Sequence, residues 1–221
     1  MKRTGSIILA VVMALTAVPL SAFAAEKRAP LQVGIMSDIH YFSTELTGNY
    51  CEAFMKYAAV NTRQEAQSEA LLESALYAIA KHAHQNAMKY LLIAGDNTRD
   101  GEYAGHQKLA ARLERFEKET GIQVIVTNGN HDINNAGAAT FENGKKENAR
   151  RTSPEDWLSL YKNLGFDLAY HTFKPSGGKK GGMLSYSVRL DGGYRLIVMD
   201  SCKYSRDSTS DGEDQHEGEG V

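Results

Sequence analysis

The sequence predicts an α/β fold built on a mainly parallel sheet. Three apolar runs of strand length, Leu31–Met36, Lys89–Ala94 and Ile122–Thr127, are separated by two stretches with helical periodicity. Each run leads into a short segment containing Asp, His, Gly or Asn. A β-α-β-α-β order with crossover-length helices makes neighbouring strands parallel. Parallel strands are covered on both faces, which explains runs that are continuously apolar rather than alternating.

The first helical stretch extends from about Thr62 to Asn86, with Ala66, Ala70, Leu72, Leu76, Ile79, Ala80 and Ala83 at helical spacing. The second runs from Glu102 to Thr120, and Gly121 suits the position just past its end. Ile133 to Arg151 is polar and rich in Gly and Asn, and reads as a long loop over the strand ends. Ser153-Pro154-Glu155-Asp156 then opens a helix, with Ser153 as N-cap and Pro154 in the first helical position. That helix carries Trp157, Leu158, Leu160, Tyr161 and Leu164 and stops at Gly165. Leu184 to Leu190 and Tyr194 to Met199, joined by Asp191-Gly192-Gly193, form a hairpin pattern that ends in Asp200-Ser201-Cys202. Residues 205–221 lose all apolar periodicity and read as a disordered acidic tail. No internal repeat is visible.

With 42% hydrophobic and 24% charged residues over 221 positions, the chain has the material for one globular domain with a real core, expected over residues 25–204. Residues 1–24 read as a signal peptide. Lys2 and Arg3 form a positive n-region, Ile7 to Leu15 an apolar h-region, and Ala22-Phe23-Ala24 a small-residue cleavage site. Pro19 and that site argue against an uncleaved membrane anchor. The expectation is a secreted or cell-envelope protein with no stable membrane anchor after cleavage. Removing Lys2 and Arg3 from the 25 basic residues leaves 23 against 27 acidic, a charge of −4. That balance gives no footprint for a nucleic-acid backbone, so no nucleic-acid partner is favoured. Cys51 and Cys202 could pair after export, and two buried free thiols are an equally good reading. The oligomeric state is not legible.

In open α/β sheets, ligands bind outside the carboxyl ends of the strands. Here those ends carry Asp38-Ile39-His40, Gly95-Asp96 and Gly129-Asn130-His131-Asp132. Asp38 and His40 stand two apart in a strand-end loop, so both can turn toward one point. Carboxylate oxygen with imidazole nitrogen suits divalent Mn, Fe, Zn or Ni better than Ca. Asp96 has a carboxylate able to bridge two ions, Asn130 a neutral carbonyl oxygen, and Gly95 and Gly129 permit the tight turns. Each fragment alone is a weak signal. Three at three strand ends, in this order, form a strong one.

These residues resemble the calcineurin-like metallophosphoesterase superfamily, whose blocks run Asp-x-His, Gly-Asp, Gly-Asn-His-Asp/Glu, then a late His and Gly-His-x-His. Gly95-Asp-Asn-Thr-Arg-Asp-Gly-Glu102, Gly129-Asn-His-Asp-Ile-Asn-Asn135 and the pairing of Leu184-Ser-Tyr-Ser-Val with Ile197-Val-Met-Asp-Ser-Cys202 resemble a bacterial, often exported, branch. The resemblance covers Val33 to Cys202. It implies a layered α/β/β/α sandwich and a two-metal hydrolase of phosphomonoesters or phosphodiesters, with a small phosphate ester as substrate. Carried over by position, Asp38 and His40 would hold one ion, Asp96 would bridge, and Asn130 would hold the second. His131 would stabilise phosphoryl charge or protonate the leaving alkoxide, with Asp132 orienting its ring. The implied reaction is in-line attack by a metal-bound hydroxide.

The late histidines of the pattern have no counterpart. The histidines are His40, His82, His84, His106, His131, His171 and His216. His82 and His84 read as solvated helix residues, His106 as a capping or packing residue as readily as a site residue, and His171 and His216 carry no matching motif. Four ligands stand where the family uses about seven. The sequence therefore reads as a C-terminally truncated member with its second half incomplete. The alternative to an active enzyme is an inactive or single-metal-binding N-terminal fragment.

Overall fold

Val33–Met36 (β1), Tyr90–Ala94 (β2) and Gln123–Thr127 (β3) form a parallel sheet in the order β1-β2-β3, with Val33 opposite Tyr90 and Tyr90 opposite Gln123. This computed structural model describes residues 30–61, 63–174 and 182–202. The expected signal peptide, the acidic tail and His216 lie outside the described residues. Alternation along the strands sends Leu91, Ile93, Val124 and Val126 to one face and Tyr90, Leu92 and Ile125 to the other, so both faces need cover.

Helices cover the first face. Ser68–Asn86 (Leu72, Leu76, Ala83), Tyr103–Thr120 (Leu109, Leu113, Phe116) and Pro154–Leu160 (Trp157) join Leu91, Ile93, Val124 and Val126 in one buried cluster. Each fully buried large apolar side chain there stabilises the fold by about 1.5–3 kcal/mol relative to exposure. Gly121 takes a left-handed φ of 72° as C-cap of the second of these helices. Ser153 caps the third with a complete capping box to Asp156, and Pro154 opens it. That helix closes at Leu160, short of the expected Gly165. The first begins at Ser68 rather than near Thr62, behind a 3₁₀ turn at Glu65–Gln67.

A second sheet covers the other face. The predicted hairpin forms as Tyr186–Arg189 and Arg195–Val198, and Ala169–Thr172, which the sequence left unassigned, pairs antiparallel with the first of these strands. Tyr186, Val188 and Val198 pack on Tyr90 and Ile125 between the sheets. Tyr186 also donates its hydroxyl to the carbonyl of Val126 at 2.8 Å, tying one sheet to the other. The chain thus has a mixed α/β architecture in which a helix layer, a parallel sheet and an antiparallel sheet follow one another.

Two further elements form a satellite core beside the strand ends. A 3₁₀ turn at Thr44–Thr47 and a helix at Glu52–Ala59 were not legible in the sequence. Their Leu46 and Phe54 bury against Phe42 and Phe141. Phe141 belongs to the stretch expected as a long loop. That stretch instead holds a short antiparallel pair, Ala139–Thr140 with Glu147–Asn148, because an aromatic anchor and two ladder pairs fix it. Among the described residues the α-helices are α1 (Glu52–Ala59), α2 (Ser68–Asn86), α3 (Tyr103–Thr120) and α4 (Pro154–Leu160). Cys51 and Cys202 are free thiols. Among the described residues no helix is long and apolar enough to cross a membrane.

Candidate metal centre

The parallel pairing of β1 and β2 continues past the strands as a zipper between the first two motif loops. Asp38 donates its amide to the carbonyl of Gly95 at 3.1 Å, His40 to Asp96 at 2.9 Å and Tyr41 to Asn97 at 3.0 Å. The zipper holds a backbone that L side chains rarely adopt: φ is +54° at Asp38, +44° at His40 and +49° at Asp96. Left-handed conformations at non-glycine residues cluster where a fold must aim side chains at a site. Here all three turn toward one another.

As a result, one ligand atom from each of Asp38, His40 and Asp96 lies within 4.8 Å of the others. Asn130 shares a cleft with Asp38 and Asp96, lined also by Asn128, Ser201 and Cys202. Asp96 Oδ1 accepts the amide of His131 at 3.0 Å, which fixes the carboxylate. Burial raises the Asp96 pKa, the cost of a carboxylate charge withdrawn from water. Burial lowers that of His40, with the neighbouring His131 and Arg63 adding to it, so the imidazole favours the neutral form that ligates metal.

The donor set fits one divalent cation on three observations. Two carboxylates and an imidazole are the ligand types such ions take. His40 Nδ1 is buried with no hydrogen-bond partner. At Gly129 a Cβ would collide with Oδ1 and the amide nitrogen of Asp96, so only glycine lets the third motif loop close onto that carboxylate.

His131 stands beside this cluster, its ring centroid 5.0 Å from that of His40 in an edge-to-face arrangement. Its Nδ1 lies 2.8 Å from Asp100 Oδ1 and its Nε2 lies 3.3 Å from Arg63 Nη2. The carboxylate at the ring is therefore that of Asp100, where the sequence pointed to Asp132. Asp132 is fully buried and accepts from Asn97 N at 2.9 Å, Asn97 Nδ2 at 2.9 Å, Thr98 N at 3.0 Å and Gly129 N at 2.8 Å. It staples the second motif loop to the third. Consecutive residues in the turn after β3 point to different places, and this separates His131 from its sequence neighbour.

Asp100 is itself held by Arg99 Nη1 at 2.6 Å, and Arg99 donates from Nε to Glu65 Oε1 at 2.8 Å. Beneath Asp100, the buried Glu102 accepts the Asp100 amide at 3.0 Å. Asp100 and Arg63 were assigned no role from sequence. The only signal for Asp100 was a further carboxylate between Gly95 and Glu102, and Arg63 had none. His106, equivocal in the sequence, is a core residue. Its ring is fully buried between Tyr161 Oη at 2.9 Å and Thr98 Oγ1 at 3.0 Å, and burial lowers its pKa to about 3, so it is neutral. His82, His84 and His171 are exposed and away from this cluster.

Fold and site together define a mixed α/β protein carrying a metal-type Asp/His/Asp cluster at the strand ends of its parallel sheet. The family model for calcineurin-like phosphoesterases matches residues 31–215, and the chain belongs to that family. No curated relative matches the chain.

Proposed function

We propose that this chain hydrolyses phosphate esters at a metal centre held by Asp38, His40, Asp96 and Asn130, with His131 handling the proton on the leaving oxygen. The observation that carries the reading is the convergence of Asp38, His40 and Asp96 beside a histidine whose far nitrogen is held by a carboxylate. A bound divalent ion supplies Lewis acidity toward a phosphoryl oxygen and lowers the pKa of water. The protein's own contribution is orientation. Asp100 accepts Nδ1–H of His131 and holds the ring with Nε2 turned toward Arg63. The same carboxylate stabilises the imidazolium when Nε2 carries the proton destined for an alkoxide. Asp132 and Gly129 keep the three loops in register. Export by residues 1–24 belongs to the same proposal and rests on Lys2, Arg3 and the Ala22-Phe23-Ala24 site.

The test is hydrolysis of p-nitrophenyl phosphate and bis(p-nitrophenyl) phosphate after chelation and readdition of Mn, with metal counted per chain. Asp96→Ala is expected to lose both ion and turnover. Asp100→Asn is expected to keep the ion while kcat falls by about 10–100-fold with an altered pH profile. Turnover that survives Asp96→Ala overturns the assignment. A single-ion, weakly active or inactive form is the second reading. The three-residue donor set favours it, and a count of one ion per chain with no turnover in any variant would establish it.

A further inference from the structure

Arg63 lies between α1 and the 3₁₀ turn at Glu65–Gln67, half-buried at the edge of the candidate site. Its Nη2 points at His131 Nε2 from 3.3 Å. With Asp100 taking the hydrogen of Nδ1, a neutral ring presents the Nε2 lone pair to the guanidinium as donor, and a ring protonated at Nε2 leaves that guanidinium without an acceptor. A guanidinium has five N–H donors, and among the described residues Arg63 makes no ion pair and no other hydrogen bond. Arg99 shows the contrast: its guanidinium is spent on Glu65, Asp100 and Asn61. One arginine near the site is thus fixed as structure, and the other keeps most of its donors available beside the histidine expected to meet the substrate.

A guanidinium against an imidazole, with no carboxylate to neutralise it, is an incomplete arrangement that an anion completes. Planar, bidentate recognition of phosphate is the chemistry arginine performs better than lysine. A phosphomonoester brings three unesterified oxygens and, when fully ionised, a second negative charge. A phosphodiester brings two such oxygens and one charge. The added cation therefore favours the monoester.

We propose that Arg63 is a substrate-binding residue that receives unesterified phosphoryl oxygens next to His131 and tilts the site toward phosphomonoesters over phosphodiesters. This rests on the phosphoesterase reading above.

The experiment titrates inorganic phosphate calorimetrically into the Mn-loaded protein, for the wild type, Arg63→Met and Arg63→Lys. It is paired with kcat and KM for p-nitrophenyl phosphate and bis(p-nitrophenyl) phosphate. Arg63→Met is expected to weaken phosphate by about ten- to a hundredfold. It should also raise KM for the monoester more than for the diester, at unchanged metal content and melting temperature. Arg63→Lys should recover part of the affinity. Phosphate affinity and a monoester-to-diester ratio of kcat/KM both within twofold of wild type would overturn the proposal. Should Arg63→Met fail to melt cooperatively, Arg63→Lys decides, since a purely structural cation would leave its phosphate affinity and ester ratio at the wild-type values. Phosphate binding that depends on Arg63, without hydrolysis of either ester, would overturn the phosphoesterase reading and the ester preference while upholding Arg63 as the anion receptor.

Discussion

Replacing Asp132 by alanine removes the acceptor of four N–H groups in a place water does not reach. Three are backbone amides, of Asn97, Thr98 and Gly129, and the fourth is the Asn97 side chain. A buried amide left without an acceptor costs about 1–3 kcal/mol. Relaxation of the loops, which lets some of these groups reach other acceptors, brings the total well below the simple sum. The expected loss is about 3–5 kcal/mol, a large fraction of the ~5–15 kcal/mol that keeps a domain folded. Asp132→Asn keeps one acceptor oxygen and turns an NH₂ toward donors, so it should lose about half as much. Equilibrium urea unfolding measures both, with chelator present so that ion binding does not mask the difference. A shifted midpoint at constant slope is the expected form. An alanine variant within 1 kcal/mol of wild type, yet with slowed turnover and a changed pH profile, would refute the staple and restore Asp132 to the role of orienting His131.

Two other outcomes follow from the same region. Burial, and after it the charge of Asp100, push the pKa of Glu102 from 4.5 up to about 8. A raised acid pKa means that folding favours the protonated form, so this stability is complete below 4.5 and lost as pH rises through about 8. Midpoints of chemical unfolding should therefore fall across that window, and Glu102→Gln should flatten the fall; an unchanged slope refutes the assignment. Gly129→Ala places a methyl group against the Asp96 carboxylate. Mn affinity is expected to drop by about 10–100-fold in a direct titration, and a value within threefold of wild type would show that the loop yields freely.

What the sequence made legible was whatever is encoded locally. The parallel strands appear as continuous apolar runs, with β2 and β3 covered on both faces, and α2 and α3 appear through their periodicity. Glu52–Ala59 did not, because its anchoring partner Phe141 lies far away along the chain and only tertiary packing makes the segment a core helix. Ala169–Thr172 is exposed at three of its four positions and shifts register between Ala169 and His171, so it shows no alternation to read. The same division runs through the site. Asp38, His40 and Asp96 are named by strand-end motifs, and the fold brings those three together. The partners of the His131 ring, Asp100 and Arg63, are 31 and 68 residues away, distances that no local pattern spans.

The left-handed backbone at Asp38, His40 and Asp96 carries a consequence for how the chain survives heat. Sparsely populated conformations of this kind cost about 1–3 kcal/mol each, with Asp at the lower end. Glycine at any of the three would relieve that cost, so selection for folding alone would not choose these residues. A ligand that binds only the folded chain returns free energy to it in proportion to the logarithm of its concentration. On the metal-centre proposal, the ion-free protein is the tense form of the molecule, and adding a divalent cation should raise its thermal tolerance.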